Sequence, residues 1–198
     1  MKTALLLSGG MDSVAIAWWK RPDIAITIDY GHQPALAEIR AAGAVAAALE
    51  IEHHIVRCDL AALGSGDMAG RTPLVMAPVP EWWPFRNQML LTVAAMKAVS
   101  LGVERLLIGC LSTDRQHGDG TEAFISAMNS LFAVQEGGLM VEAPAIALTA
   151  EELIQQSSIP FEVLAWAHSC HRANEACGNC RGCLKHYSTM QALGHDPY

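Results

Sequence analysis

The apolar run Ala4-Leu5-Leu6-Leu7 breaks at once into Ser8-Gly9-Gly10-Met11-Asp12-Ser13, and no other junction restricts the fold of this chain so much. A buried strand that ends in a glycine turn and resumes as a helix turns first-turn amides and hydroxyls toward whatever occupies the turn, which is how a phosphate is held. In an open α/β sheet such a site lies outside the carboxyl ends of the strands, where the winding reverses, and strand one is the usual place. The loop lacks the lysine of GxxxxGK[ST], which follows the β- and γ-phosphates when the terminal phosphoryl group moves. Its chemistry suits loss of pyrophosphate and transfer of AMP to a carboxyl or carbonyl oxygen. An ordinary strand-to-helix turn would explain Gly9 and Gly10, but not a hydroxyl, a carboxylate and a second hydroxyl placed around them.

Beyond the loop, short β-rich runs alternate with alanine-rich helical stretches, the pattern of a mostly parallel, doubly wound α/β sheet covered on both faces. Strands are expected near residues 3–7, 24–28, 54–57, 105–109 and 139–142. Helices are expected over 13–20, 35–49, 87–101 and 121–132, with a further start and capping box at Thr149-Ala150-Glu151-Glu152. The segment from Leu63 to Trp83, rich in glycine and proline, reads as a long binding loop near the carboxyl edge of the sheet. At 198 residues the chain suits a single core. We expect a nucleotide-binding α/β domain over residues 1–166 and a metal-binding segment over 167–198 packed on it. Although 52% of the residues are apolar, no run approaches the ~20 needed to cross a bilayer. Met1-Lys2-Thr3 runs straight into the first strand, so a cytoplasmic protein is expected. A formal charge of −7 opposes tight nucleic-acid binding and favours a small-molecule substrate.

Of six cysteines, four form the pattern Cys170-x6-Cys177-x2-Cys180-x2-Cys183. With Gly178 and Gly182 allowing tight turns, four thiolates at these spacings can close a tetrahedron around a structural zinc ion. A redox CxxC pair would use only two of them, while an iron–sulfur cluster would accept all four. Cys58 and Cys110 read as buried apolar residues.

Pro84-Phe85-Arg86-Asn87 sets a guanidinium and an amide before a helix, where they can hold a phosphate or carboxylate. The opening loop resembles the PP-loop of the N-type ATP pyrophosphatases, whose fold is HUP-like. With Asp29-Tyr30-Gly31, the PxRN element, Asp114, Glu142-Ala143-Pro144, Ser169-Cys170 and Cys177-Gly178-Asn179-Cys180-Arg181-Gly182-Cys183, the chain resembles the 7-cyano-7-deazaguanine synthase family over nearly its whole length. It departs from that family at His117-Gly118-Asp119-Gly120-Thr121-Glu122-Ala123-Phe124, which lacks the usual cysteine and arginine. It also departs at His32-Gln33-Pro34, and at Thr149-Ala150, where a threonine-lysine pair is common.

The resemblance implies an ATP-dependent ligase that adenylates 7-carboxy-7-deazaguanine, forms the amide with ammonia, then activates again and loses water to give the nitrile. Ser8, Gly9, Gly10, Met11, Asp12, Ser13 and Asn87 would hold ATP, with Asp12 acting through Mg2+ or by orienting the loop. Asp12, Arg86 and Asp114 would be catalytic, Arg86 neutralising the α-phosphate or the substrate carboxylate, with Arg115 or Arg86 standing in for the absent lysine. Asp119 or Glu122 would accept from the donor edge of the guanine-like ring, and Phe85, Trp82 or Trp83 would stack on it. Zinc would be held by Cys170, Cys177, Cys180 and Cys183. A related ligase that couples another amine, on a protein for instance, and stops at the amide is a competing expectation. So is a non-catalytic, zinc-stabilised nucleotide-binding protein. The tryptophan pairs Trp18-Trp19 and Trp82-Trp83 offer a homodimer face.

Overall fold

In a computed structural model that describes residues 1–196, the five expected strands form one parallel sheet. They are β1 (Thr3–Leu6), β2 (Ile24–Asp29), β3 (Glu52–Arg57), β4 (Arg105–Leu107) and β5 (Met140–Glu142), in the spatial order β3-β2-β1-β4-β5. The register aligns Leu5 with Ala25 on one side and with Leu107 on the other. The chain therefore winds outward from β1 through β2 to β3, then crosses back to β4 on the opposite side. The reversal leaves a crevice at the carboxyl ends of β1 and β4, where the glycine turn emerges.

Alternation along β1 divides the core in two. Leu5 and Leu7 face one side with residues of α1 (Met11–Lys20), α2 (Ala35–Ala48), α6 (Ala150–Ser157) and α8 (Arg181–Ala192). Ala4 and Leu6 face the other with residues of α4 (Arg86–Ser100) and α5 (Glu122–Ala133). This period of two is what a strand buried on both faces demands. Each fully buried leucine contributes about 2 kcal/mol by leaving water.

Most element boundaries fall within two residues of expectation. The capping box forms, Thr149 Oγ1 accepting from Glu152 N while Thr149 N donates to Glu152 Oε2 at 2.8 Å. The long loop carries a one-turn helix, α3 (Gly66–Ala69), and folds back on the protein. Gly66 adopts φ +69 and a Cβ there would overlap the Pro80 carbonyl, so this reversal requires glycine. A short helix α7 (Phe161–Leu164) and the terminal α8 were not among the expected elements. Among the described residues no helix is long and apolar enough to cross a membrane. Trp18 and Trp19 are partly buried against the core and carry the chain's own cations, Arg21 at 3.9 Å and Lys20 at 3.4 Å from the ring centroids.

Candidate active site

The crevice opens into a cavity of about 770 Å3 whose wall includes Ser8, Gly10, Met11, Asp12 and Ser13. Gly10 is the N-cap of α1 and makes no side-chain bond to the first turn, so orphan amides lie at the cavity wall. Ser8 Oγ sits 3.2 Å from Ser13 Oγ and accepts from Gly10 N, while Ser13 Oγ donates to the Gly10 carbonyl at 2.9 Å. The hydroxyls thus hold the loop open and remain at the wall. Gly9 lies behind the loop instead of in the wall. At φ +78, a Cβ on it would stand 2.7 Å from the Glu38 carbonyl oxygen and 2.8 Å from Ala41 Cβ. Its role is to let the turn pack on α2.

Asp12, in the first turn of α1, is bonded to a lysine that the sequence reading had not singled out. Lys185 Nζ on α8 donates to Asp12 Oδ2 at 2.7 Å. The other oxygen, Oδ1, is shielded from solvent and has no hydrogen-bond partner among the described residues. Burial pushes the Asp12 carboxyl up despite the lysine, with Asp114 and Glu151 adding to the rise. Burial disfavours the charge on Lys185, but Asp12, Asp114 and Glu151 outweigh it and hold the ammonium above its usual range.

Across the cavity, Arg86 begins α4 and lies in the wall, with Nη1 2.8 Å from Met68 Sδ of the long loop. Asn87 N donates to Asp119 Oδ2 at 3.1 Å, and Asn87 Nδ2 donates to the Asp119 carbonyl at 2.9 Å. Asp119 therefore caps α4, as a carboxylate at a helix start does, and holds Arg86 and Asn87 at the wall. Asp114 also lines the cavity, one of its oxygens accepting from Leu111 N at 2.9 Å.

Several expected positions fall elsewhere. Glu122 is exposed on the first turn of α5 and is not in the wall, because Thr121 caps that helix and turns the next residue outward. Phe85 is 74% exposed, held at φ 55 just before α4, so its ring points away from the cavity wall. Arg115 is exposed and outside the wall. Trp83 is buried edge-on against Tyr30, with ring centroids 5.0 Å apart, and Tyr30 stacks on His32 at 3.9 Å. Trp83 thereby supports the wall from behind.

An acid in the wall was also missed. Glu81, from the long loop, is 5% exposed and accepts from Arg181 Nη1 at 3.0 Å, while its Oε2 is shielded and has no partner among the described residues. A buried carboxylate oxygen left unbonded carries a desolvation cost that a ligand donor can remove. The irregular composition of residues 63–83 offered no periodicity from which to place it. Lys185 was hidden for a different reason: the helix that carries it starts inside the cysteine pattern. Arg181, Lys185 and Ser188 stand at helical spacing along one flank of α8, and all three line the cavity.

The cysteine cluster forms. The four Sγ atoms of Cys170, Cys177, Cys180 and Cys183 lie within 4.8 Å of one another, with Cys177–Cys183 and Cys170–Cys180 at 4.0 Å. Four thiolates around one tetrahedral zinc stand about 3.8 Å apart, whereas a cluster spreads its cysteines over separate irons. The donor set fits a single ion. His171 N and Cys183 N donate to Cys180 Sγ at 3.3 and 3.4 Å, as amides around buried thiolates do. The Asn179 backbone amide lowers Cys177 to about 6, while burial pushes Cys180 and Cys183 up, a cost that a cation would offset. Elsewhere, burial pushes the Cys110 thiol up to about 12, so it is no ready nucleophile.

The knuckle grips the cavity from above. His168 N donates to the Gly9 carbonyl at 2.9 Å, Arg172 pairs with Asp67 at 2.9 Å, and Arg181 pairs with Glu81 at 3.0 Å. Both ion pairs tie the terminal segment to the long loop.

Compared with known proteins, residues 2–194 match the family model described as queuosine biosynthesis protein QueC. The chain is 34% identical to the 7-cyano-7-deazaguanine synthase of Desulforudis audaxviator, over 98% of each chain. It is 30% identical to that of a Nitratiruptor species, over 100% of this chain and 99% of the relative. The synthase of Nitrosomonas europaea is 31% identical, over 92% and 89%. Among solved structures, the U34-tRNA thiolase NcsA of Methanococcus maripaludis, with its [4Fe-4S] cluster, superposes with a TM-score of 0.55 at 16% identity. That match covers 98% of this chain and 65% of the thiolase, and it shows a shared fold.

Proposed function

The chain belongs to the QueC family of queuosine biosynthesis proteins, and we propose that it adenylates 7-carboxy-7-deazaguanine with ATP and condenses the activated acid with ammonia to give 7-cyano-7-deazaguanine. The observation that carries this reading is the Ser8–Ser13 loop at the winding reversal of the sheet, opening with Arg86 and Glu81 into one cavity large enough for a nucleotide and a fused bicyclic acid.

Phosphates of ATP take the first-turn amides of α1 and the Ser8 hydroxyl, with the Ser13 hydroxyl turning from the Gly10 carbonyl to join them. Oδ1 of Asp12 and Asp114 would hold Mg2+, which neutralises phosphate charge when bound. Attack of the substrate carboxylate on the α-phosphorus forms a P–O bond and expels pyrophosphate. Arg86 meets the charge that gathers on the α-phosphoryl oxygens. Ammonia then attacks the acyl carbon, AMP leaves with one former carboxylate oxygen, and the amide remains. A second ATP activates the amide oxygen in the same way. Loss of that oxygen on AMP, with two protons given up from nitrogen, yields the nitrile.

The Glu81 carboxylate takes the part that Asp119 and Glu122 were expected to fill. The pyrimidine edge of a guanine-like base carries two donors, N1–H and the 2-amino group, which a carboxylate matches. Zinc on the four cysteines leaves no open coordination position and is structural. The acidic chain, its thiols and its use of ATP agree with a cytoplasmic enzyme acting on a free small molecule.

The nucleotide product tests the reading. Purified protein with ATP and the acid, with and without ammonia, is expected to release AMP and pyrophosphate. ADP as the main product would overturn it.

A further inference from the structure

Building on the adenylating reading above, we infer that Lys185 is a second phosphate-directed cation of this site beside Arg86, meeting the departing pyrophosphate and delivered from the four-cysteine knuckle instead of from the loop. The loop from Ser8 to Ser13 contains no basic residue, yet the chemistry must neutralise a departing pyrophosphate. Lys185 Nζ lies 2.7 Å from Asp12 Oδ2, within the first turn of the helix whose amides face the phosphates. It lines the same cavity as Ser8, Gly10 and Ser13. Its side chain is 37% exposed, so it is neither sealed in a core pair nor loose in solvent.

Its place is fixed by the knuckle. Cys180 caps α8, accepting from Cys183 N at 3.4 Å, and Lys185 follows two residues after Cys183. Met190, further along the helix, is buried in the main core, so α8 is held at both ends. The Asp12 contact is then a holding position. A triphosphate brings several negative charges to a lysine now shared with one carboxylate, and the four-carbon stem can turn from one acceptor to the other without moving the helix. Asp12 is released to a divalent cation in the same exchange.

The test compares ATP and adenosine binding by isothermal titration to the wild type and to Lys185→Met and Lys185→Arg, each purified with its metal. Lys185→Met is expected to weaken ATP about tenfold or more and leave adenosine unchanged, while Lys185→Arg retains most of the ATP affinity. Unchanged or tighter ATP binding by Lys185→Met would overturn the inference, since Lys185 would then serve only to neutralise Asp12. Equal loss of ATP and adenosine binding in both variants would overturn it too, as the mark of a structural role. If Lys185→Met does not fold, Lys185→Gln replaces it with the same outcomes. Failure of the parent reading looks different: the wild type would bind ATP normally and form no AMP with the acid.

Discussion

Asp12 is pulled in two directions: burial raises its carboxyl while Lys185 stands at hydrogen-bond distance, and its second oxygen has no partner among the described residues. In the proposed reaction that oxygen takes a divalent cation, whose charge offsets the cost of burying the carboxylate. Asp12→Ala and Arg86→Ala are each expected to lower turnover by about 100-fold or more, with metal content and Tm close to wild type. Steady-state kinetics beside calorimetry checks this, and normal turnover in both variants would remove them from the chemistry. Glu81 makes a sharper specificity prediction. Glu81→Gln should lose about 100-fold in kcat/KM for the acid while the KM for ATP holds. Its preference over an analogue lacking the 2-amino group should collapse, as measured by competition between the two acids. At this scale the loop residues were legible because their chemistry is local. Glu81, Lys185 and the capping role of Asp119 were not, because each depends on which distant element lies opposite.

Among the elements, the strands were readable from their apolar runs, and α1, α2, α4 and α5 from helical spacing. Helix α8 was not, since its first residues carry the cysteine spacing and its buried positions include Gly182, Cys183, His186 and Thr189. A pattern set by metal geometry masks an amphipathic one. This helix joins the knuckle to the nucleotide loop, so removing one ligand should be felt in both. Cys180→Ser is expected to lose bound zinc, lower Tm by several degrees and weaken ATP binding, measured by elemental analysis, thermal unfolding and titration. Retained zinc with unchanged Tm would contradict the single-ion site. Where the glycine turn meets α2, Gly9→Ala should destabilise the fold by about 1–3 kcal/mol. The cause is a positive φ together with contacts to Glu38 and Ala41 that leave no room for a methyl group. Urea unfolding reads that difference.

For the whole molecule, the order β3-β2-β1-β4-β5 places at one crevice the cavity proposed to serve both reactants. The winding reversal opens the crevice, the long loop and α4 form one wall, and the terminal knuckle closes another through its ion pairs to Asp67 and Glu81. The sheet covered on both faces was legible in the alternation of apolar runs with helical stretches, whereas the closing of the knuckle over the loop depended on contacts between residues about 100 positions apart. Conversion of a deazaguanine acid into a nitrile at the expense of ATP is the reaction proposed for this enclosure. Its most direct test is mass spectrometry of the product formed from 7-carboxy-7-deazaguanine, ATP and 15N-labelled ammonia. The expected product is 7-cyano-7-deazaguanine carrying one 15N, with AMP accumulating beside it. A labelled amide that never advances to the nitrile, or no labelled product while ATP is still bound, would contradict it.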